Sequence, residues 1–146
     1  MENYISYLIE RNDVKILIIF IVFDTLFGIL RAIKEKGLNS NIGIDGIIRK
    51  VGMIISIVFF YLIDFEANIN MIGFIPKELL EVLPIKEVGI GILFNILFIV
   101  FEGLSILKNM IKCKLPIPKA LQKFLENVLN SFTTELKGEK ENGSKK

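Results

Sequence analysis

The chain has 146 residues, a formal charge of +2, 52% hydrophobic residues and a positive mean hydropathy. It contains no histidine and a single cysteine, Cys113, which excludes Ser-His and Cys-His nucleophile pairs, imidazole metal ligands and an internal disulfide. So small a net charge does not suggest nucleic acid as a partner, and nothing in the residue set calls for a cofactor, a metal or an enzyme assignment.

What decides the class is the arrangement: apolar residues come in blocks, with charges between them. Residues 1–15 form an N-terminal flank that includes Arg11 and Lys15. The first block, Ile16–Leu30, extends through Ile33 and meets the ~20 residues a membrane span needs if Arg31 snorkels to the headgroups. Its charged approach and the absence of a small-residue cleavage pattern argue for a retained span rather than a signal peptide. Near its middle is Asp24, followed at steps of four by Gly28 and Ala32, so the three share one face. A central Asp costs ~2.5–3.5 kcal/mol on insertion scales and therefore faces protein or water. Gly28 and Ala32 form a small-xxx-small pair that lets another helix approach.

A basic loop is expected over residues 34–50. The second block, Val51–Ile63, is short, with Ile47 and Ile48 available to lengthen it, and Gly52 and Ser56 repeat the small-residue packing pattern. A loop follows over 64–87, in which residues 77–83 read as a short helix opened by Pro76 and closed by Pro84, resting on the headgroups or re-entrant. The third block, Val88–Leu107, is a span outright. Gly91, Asn95, Phe98, Glu102, Ser105 and Asn109 follow at steps of four, three, four, three and four, one stripe that faces a neighbouring helix or a water-filled space. Lys50 enters span two from the end where Glu102 lies, so a Glu102–Lys50 pair is compatible in depth. After Pro116 and Pro118, the apolar residues Leu121, Phe124, Leu125, Val128, Leu129, Phe132 and Leu136 recur at helical spacing. Residues 108–136 are thus expected to hold a basic amphipathic helix, and 137–146 a solvated tail. The expected fold is an all-α integral membrane protein with three transmembrane helices plus a cytoplasmic amphipathic helix. A soluble bundle would keep a broader polar stripe on each helix.

Two segments carry a family resemblance. Asp24 to Lys34 (DTLFGILRAIK), with Leu38-Asn39-Ser40-Asn41-Ile42-Gly43, Gly46 and Lys50, resembles the toxin-secretion and phage-lysis holin family, as does Glu102 to Asn109 (EGLSILKN) followed by Pro116-Ile117-Pro118. The likeness runs from about Ile16 to Leu125, and departs from the family pattern at Phe101, where Asn is usual, and at Lys108, where an acid is usual. It implies a small protein that gathers as a homo-oligomer in the bacterial cytoplasmic membrane and opens holes for an endolysin or a signal-less toxin, without necessarily binding that cargo. It adds Arg31, Asn39, Ser40, Gly46 and Lys50 as motif residues. The residues alone leave two other readings open: an ion channel or transporter subunit using Asp24 and Glu102, and a passive anchor.

Lys and Arg number two, five, two and nine over the N-terminal flank, first loop with Arg31 at its edge, second loop and tail. That alternation predicts three crossings with the N-terminus outside and the C-terminus in the cytoplasm. In intact spheroplasts Cys113 is therefore expected to resist membrane-impermeant thiol reagents until the cells are permeabilised; labelling from outside in sealed cells reverses the topology.

Overall fold

A computed structural model describes residues 2–36, 40–76, 78 and 87–128. Among the described residues are the helices α1 (Glu2–Glu10), α2 (Asn12–Lys34), α3 (Ser40–Ala67) and α4 (Ile90–Lys112). The described residues 119–128 are also helical. Three segments are long and apolar enough to cross a bilayer: Asn12–Lys34, Gly43–Ala67 and Ile90–Lys112. Only 17%, 11% and 17% of their most apolar windows are buried within the chain, so large aliphatic side chains such as Ile19, Leu30, Ile55 and Val100 face outward. So much exposed apolar surface belongs in lipid, not water. The chain is an all-α, multi-pass membrane protein.

Each span outruns its apolar block. Block two is extended most: α3 begins at Ser40, so most of the segment read as a basic loop is helix. The signal was the spacing of Ile44, Ile47, Ile48 and Val51, one helical face that continues through Arg49 and Lys50. Residues 77 and 79–86, where the short loop helix was expected, lie outside the described residues, as do 129–146. Of the expected amphipathic helix, 108–112 belong to α4, 119–128 are helical with Leu125 buried, and Phe124 is exposed. The spans close with left-handed residues at Lys36, Asn68 and Lys114, and backbone N–H groups of residues 35, 36, 113, 114 and 115 take up the last carbonyls of α2 and α4.

α4 is the hub. α2 and α3 both bring their backbones close to it, and meet each other through side chains. The pairs Arg31–Asn109 and Lys34–Cys113 follow in register, so α2 and α4 run parallel. The apolar core is small: Leu17 and Ile21 of α2 against Ile57 and Tyr61 of α3, with Phe94 and Phe98 of α4 packed around them. Phe60 and Phe94 stack at 4.0 Å between ring centroids.

α1 was not anticipated from the sequence. It turns back at Arg11 and lies against α3, with Tyr4 and Tyr7 on Phe65 at 5.5 and 5.4 Å. Burial and the neighbouring Tyr7 push the Tyr4 hydroxyl up, so it stays protonated and donates to the Val58 carbonyl. Ile5 and Ile9 face outward.

Two glycines allow the α3–α4 approach. Asp64 of α3 caps α4 from across the interface, accepting from the N–H groups of Ile90 and Gly91 at 2.9 and 2.7 Å. Gly89 has no side chain where that carboxylate sits, and a Cβ on Gly91 would lie 2.6 Å from the Tyr61 ring. Gly91→Ala is therefore expected to destabilise the bundle by about 1–3 kcal/mol, read as earlier unfolding in a denaturing-detergent titration of the reconstituted protein. Unfolding unchanged from the parent contradicts this packing.

Candidate functional site

The helices bring three distant charges together inside the bundle. Asp24 lies one residue from the middle of α2, and Glu102 one residue from the middle of α4. Lys50, from the basic end of α3, reaches between them. Its ammonium donates to Asp24 Oδ2 and Glu102 Oε2, both at 2.7 Å, and lies 3.4 Å from the Ile21 carbonyl. Asp24 and Glu102 are 5% and 4% exposed. Asn109 Nδ2 donates to the other Asp24 oxygen at 3.0 Å, and Asn109 Oδ1 accepts from Arg31 Nη1 at 3.0 Å. Two carboxylates thus meet one ammonium directly and one guanidinium through an amide. Such compensation makes buried charge tolerable in a low-dielectric surround.

A second polar cluster closes the opposite end. Arg11 pairs with Asp13 at 3.1 Å, donates to the Tyr7 hydroxyl at 2.9 Å and lies 4.4 Å over the Tyr61 ring. Tyr61 donates to Asp13 and accepts from Asn95 Nδ2 at 3.3 Å. Asn95 is fully buried, and its Oδ1 has no hydrogen-bond partner among the described residues.

The span-three stripe therefore faces inward. Gly91, Asn95, Glu102 and Asn109 are buried against α2 and α3, Phe98 packs on the core and Ser105 is half-buried. Gly28 and Ala32 sit on the inner side of α2, and a Cβ on Gly28 would meet Asn109 Nδ2 at an ordinary 3.9 Å. Gly52 differs from its expected packing role: nothing lies within 4 Å of where its Cβ would be, so it packs on no other helix of the same chain. Ser56 bonds back to the Gly52 carbonyl at 2.8 Å, which satisfies its hydroxyl locally. Of the motif residues, Arg31 and Lys50 join the charge cluster, Gly46 lines a crevice beside it, Ser40 opens α3 and Asn39 lies outside the described residues. The sequence stripe had located Glu102 and Asn109. Asp13, Tyr61 and Asp64 were missed because each lies at a block edge, where polar residues are common. Among the described residues no three acids or thiols are placed to hold a metal ion.

The crevice is about 360 Å³ and lies at the basic end, between α2, α3 and α4. It stops at Asp24 and Lys50 rather than continuing to the opposite end. Among the described residues, Asp24, Arg31, Lys50, Glu102 and Asn109 are occupied with one another.

The chain is similar to known proteins over most of its length. The model of the bacteriophage holin family matches residues 4–130. A holin-like protein of Clostridioides difficile, TcdE, is 43% identical over 141 residues, 97% of this chain and 85% of the relative. An uncharacterised protein of Clostridium acetobutylicum is 30% identical, covering 89% of this chain and 93% of its own. A 14.9 kDa uncharacterised protein of Clostridium perfringens is 28% identical over 78% of this chain and 74% of its own. No solved structure matches.

Lys50→Met keeps length and removes the shared cation, stranding two buried carboxylates. The expected loss is about 3–5 kcal/mol of bundle stability. Adding Asp24→Asn and Glu102→Gln to Lys50→Met is expected to restore most of it, because the orphaned charges are gone. Denaturing-detergent titration of the single and triple variants reads the difference, and equal stability of the two contradicts the charge cluster.

Proposed function

Because the chain belongs to the bacteriophage holin family, we propose that it acts as a holin, gathering in the bacterial cytoplasmic membrane and opening holes at a set time. Through these a cytoplasmic endolysin or a signal-less toxin leaves the cell. The proposed orientation is N-out and C-in, from the Lys/Arg alternation.

The observation that carries this reading beyond family membership is the closure of the polar stripe. Asp24 and Glu102 are buried and share Lys50, so within one chain both carboxylates are already paired with an internal cation. This weighs against a channel built within a single copy. It favours a closed form that accumulates without leak, with passage made between copies. In that picture the outward apolar faces and the open position at Gly52 are where copies meet, and release of the Asp24–Lys50–Glu102 contacts gives the polar faces of an open hole. The buried charges would then set a threshold for opening.

Inducible expression in a bacterium that also holds a cytoplasmic muralytic enzyme tests the reading. Lysis after a delay is expected with both proteins and little lysis with either alone. Asp24→Asn and Glu102→Gln are expected to insert normally but shift the onset. Continued growth with the protein confirmed in the membrane overturns the holin reading. Ion leakage without escape of a cytosolic reporter protein points to a channel instead.

A further inference from the structure

The crevice at the basic end carries more cations than acids along its wall. Gly28 and Arg31 of α2, Gly46 and Arg49 of α3, and Lys108 of α4 line it. Lys50 is shared by Asp24 and Glu102. Arg31 donates through Nη1 to Asn109, but its Nε is buried without a hydrogen-bond partner and lies 3.6 Å from Glu35 Oε2. Among the described residues Arg49 and Lys108 form no salt bridge. Four cationic and two acidic side chains line the space. Counting Glu102, which shares Lys50 from behind, one positive charge is left over (4 − 3 = +1).

Shape and depth narrow the ligand. Nothing lies within 4 Å of where a Cβ would be on Gly43 or Gly46, so the α3 wall is bare backbone beside open space. Ile29 of α2 and Ile47 of α3 also line the crevice and are largely exposed, so its rim opens onto the apolar outer surface, toward acyl chains. Arg31 and Lys108 lie seven and six residues beyond the mid-helix acids Asp24 and Glu102, a rise of about 9–10 Å. With side-chain reach added, the Lys108 charge arrives at headgroup level in a bilayer whose half-thickness is ~15 Å, while Arg31 turns in to Asn109.

We propose that this crevice binds the headgroup phosphate of one anionic phospholipid per chain. Arg49 and Lys108 hold the phosphate, and the acyl chains lie along Ile29 and Ile47. A phosphodiester carries one negative charge, which matches the surplus. A zwitterionic headgroup would bring its own cation against Arg49 and Lys108. Inorganic phosphate matches the charge but lacks the chains that the lateral opening receives.

The test uses the full chain purified in a neutral detergent, with lipid binding followed by native mass spectrometry. Titrated phosphatidylglycerol is expected to saturate at one per chain, with phosphatidylcholine binding much more weakly. Arg49→Gln with Lys108→Gln is expected to weaken phosphatidylglycerol binding about 30-fold, from two contacts each worth about fivefold. The charge-conserving pair Arg49→Lys and Lys108→Arg is expected to retain most of the binding. Lys119→Gln with Lys123→Gln removes the same charge from the exposed face of residues 119–128 and is expected to change it about twofold or less. Gly46→Leu, which fills the crevice without altering charge, is expected to block binding while circular dichroism shows the helices intact. Equal losses from the 49/108 and 119/123 pairs, equal binding of the two lipids, or equal competition by millimolar inorganic phosphate each overturn the proposal.

Discussion

A lysine held between two carboxylates in a membrane-spanning bundle constrains everything around it. Each of Asp24 and Glu102 would cost ~2.5–3.5 kcal/mol if left in hydrocarbon. One ammonium at 2.7 Å from both removes that penalty only if α2, α3 and α4 meet at one depth and one rotation. The hydrophobic effect cannot set that rotation, because lipid tails are as apolar as the faces that meet them. The polar contacts specify which side of each helix turns inward, and the small apolar core of Leu17, Ile21, Ile57 and Tyr61 fills what remains.

The bundle is clamped at both ends by different chemistry. At the basic end the clamp is ionic: Lys50 with its two acids, extended through Asn109 to Arg31. At the opposite end it is mostly dipolar and aromatic. Asp64 caps α4, Tyr61 bridges Asp13 and Asn95, and Arg11 lies over the Tyr61 ring. Gly89 and Gly91 permit that closeness because any side chain there would occupy the space of Asp64 or Tyr61. α1 adds to this end by folding its tyrosines onto Phe65.

For a protein proposed to accumulate harmlessly before opening, this division has a consequence. The closed chain shows lipid a nearly continuous apolar exterior, while its polar faces are occupied internally. Opening needs those faces to exchange internal partners for water or for the faces of other copies. Ion pairs in low dielectric make such an exchange steep rather than gradual, since a half-broken pair leaves a bare charge. A lipid phosphate beside Arg49 and Lys108 would sit one turn from the cluster and so act on the same balance.

Composition and block pattern were enough to determine that this is a three-span, all-α membrane protein, because blocks this long and continuously apolar cross hydrocarbon as helices rather than as alternating barrel strands. The step pattern from Gly91 to Asn109 also identified the inward face of α4, since helical geometry converts spacing into direction without knowledge of the partner. Which partner that face would meet was beyond spacing. The stripe suited water, another copy or a neighbour in the same chain equally well, and only the tertiary structure brought Lys50 between Asp24 and Glu102. The early start of α3 is a related case: Lys50 looks like a loop charge until its partners, 26 and 52 residues away, are in place. Asp64, Tyr61 and α1 were invisible for the same cause. A capping carboxylate, a bridging hydroxyl or a docked terminal helix is defined by what it touches, and those contacts arise between segments remote in the chain.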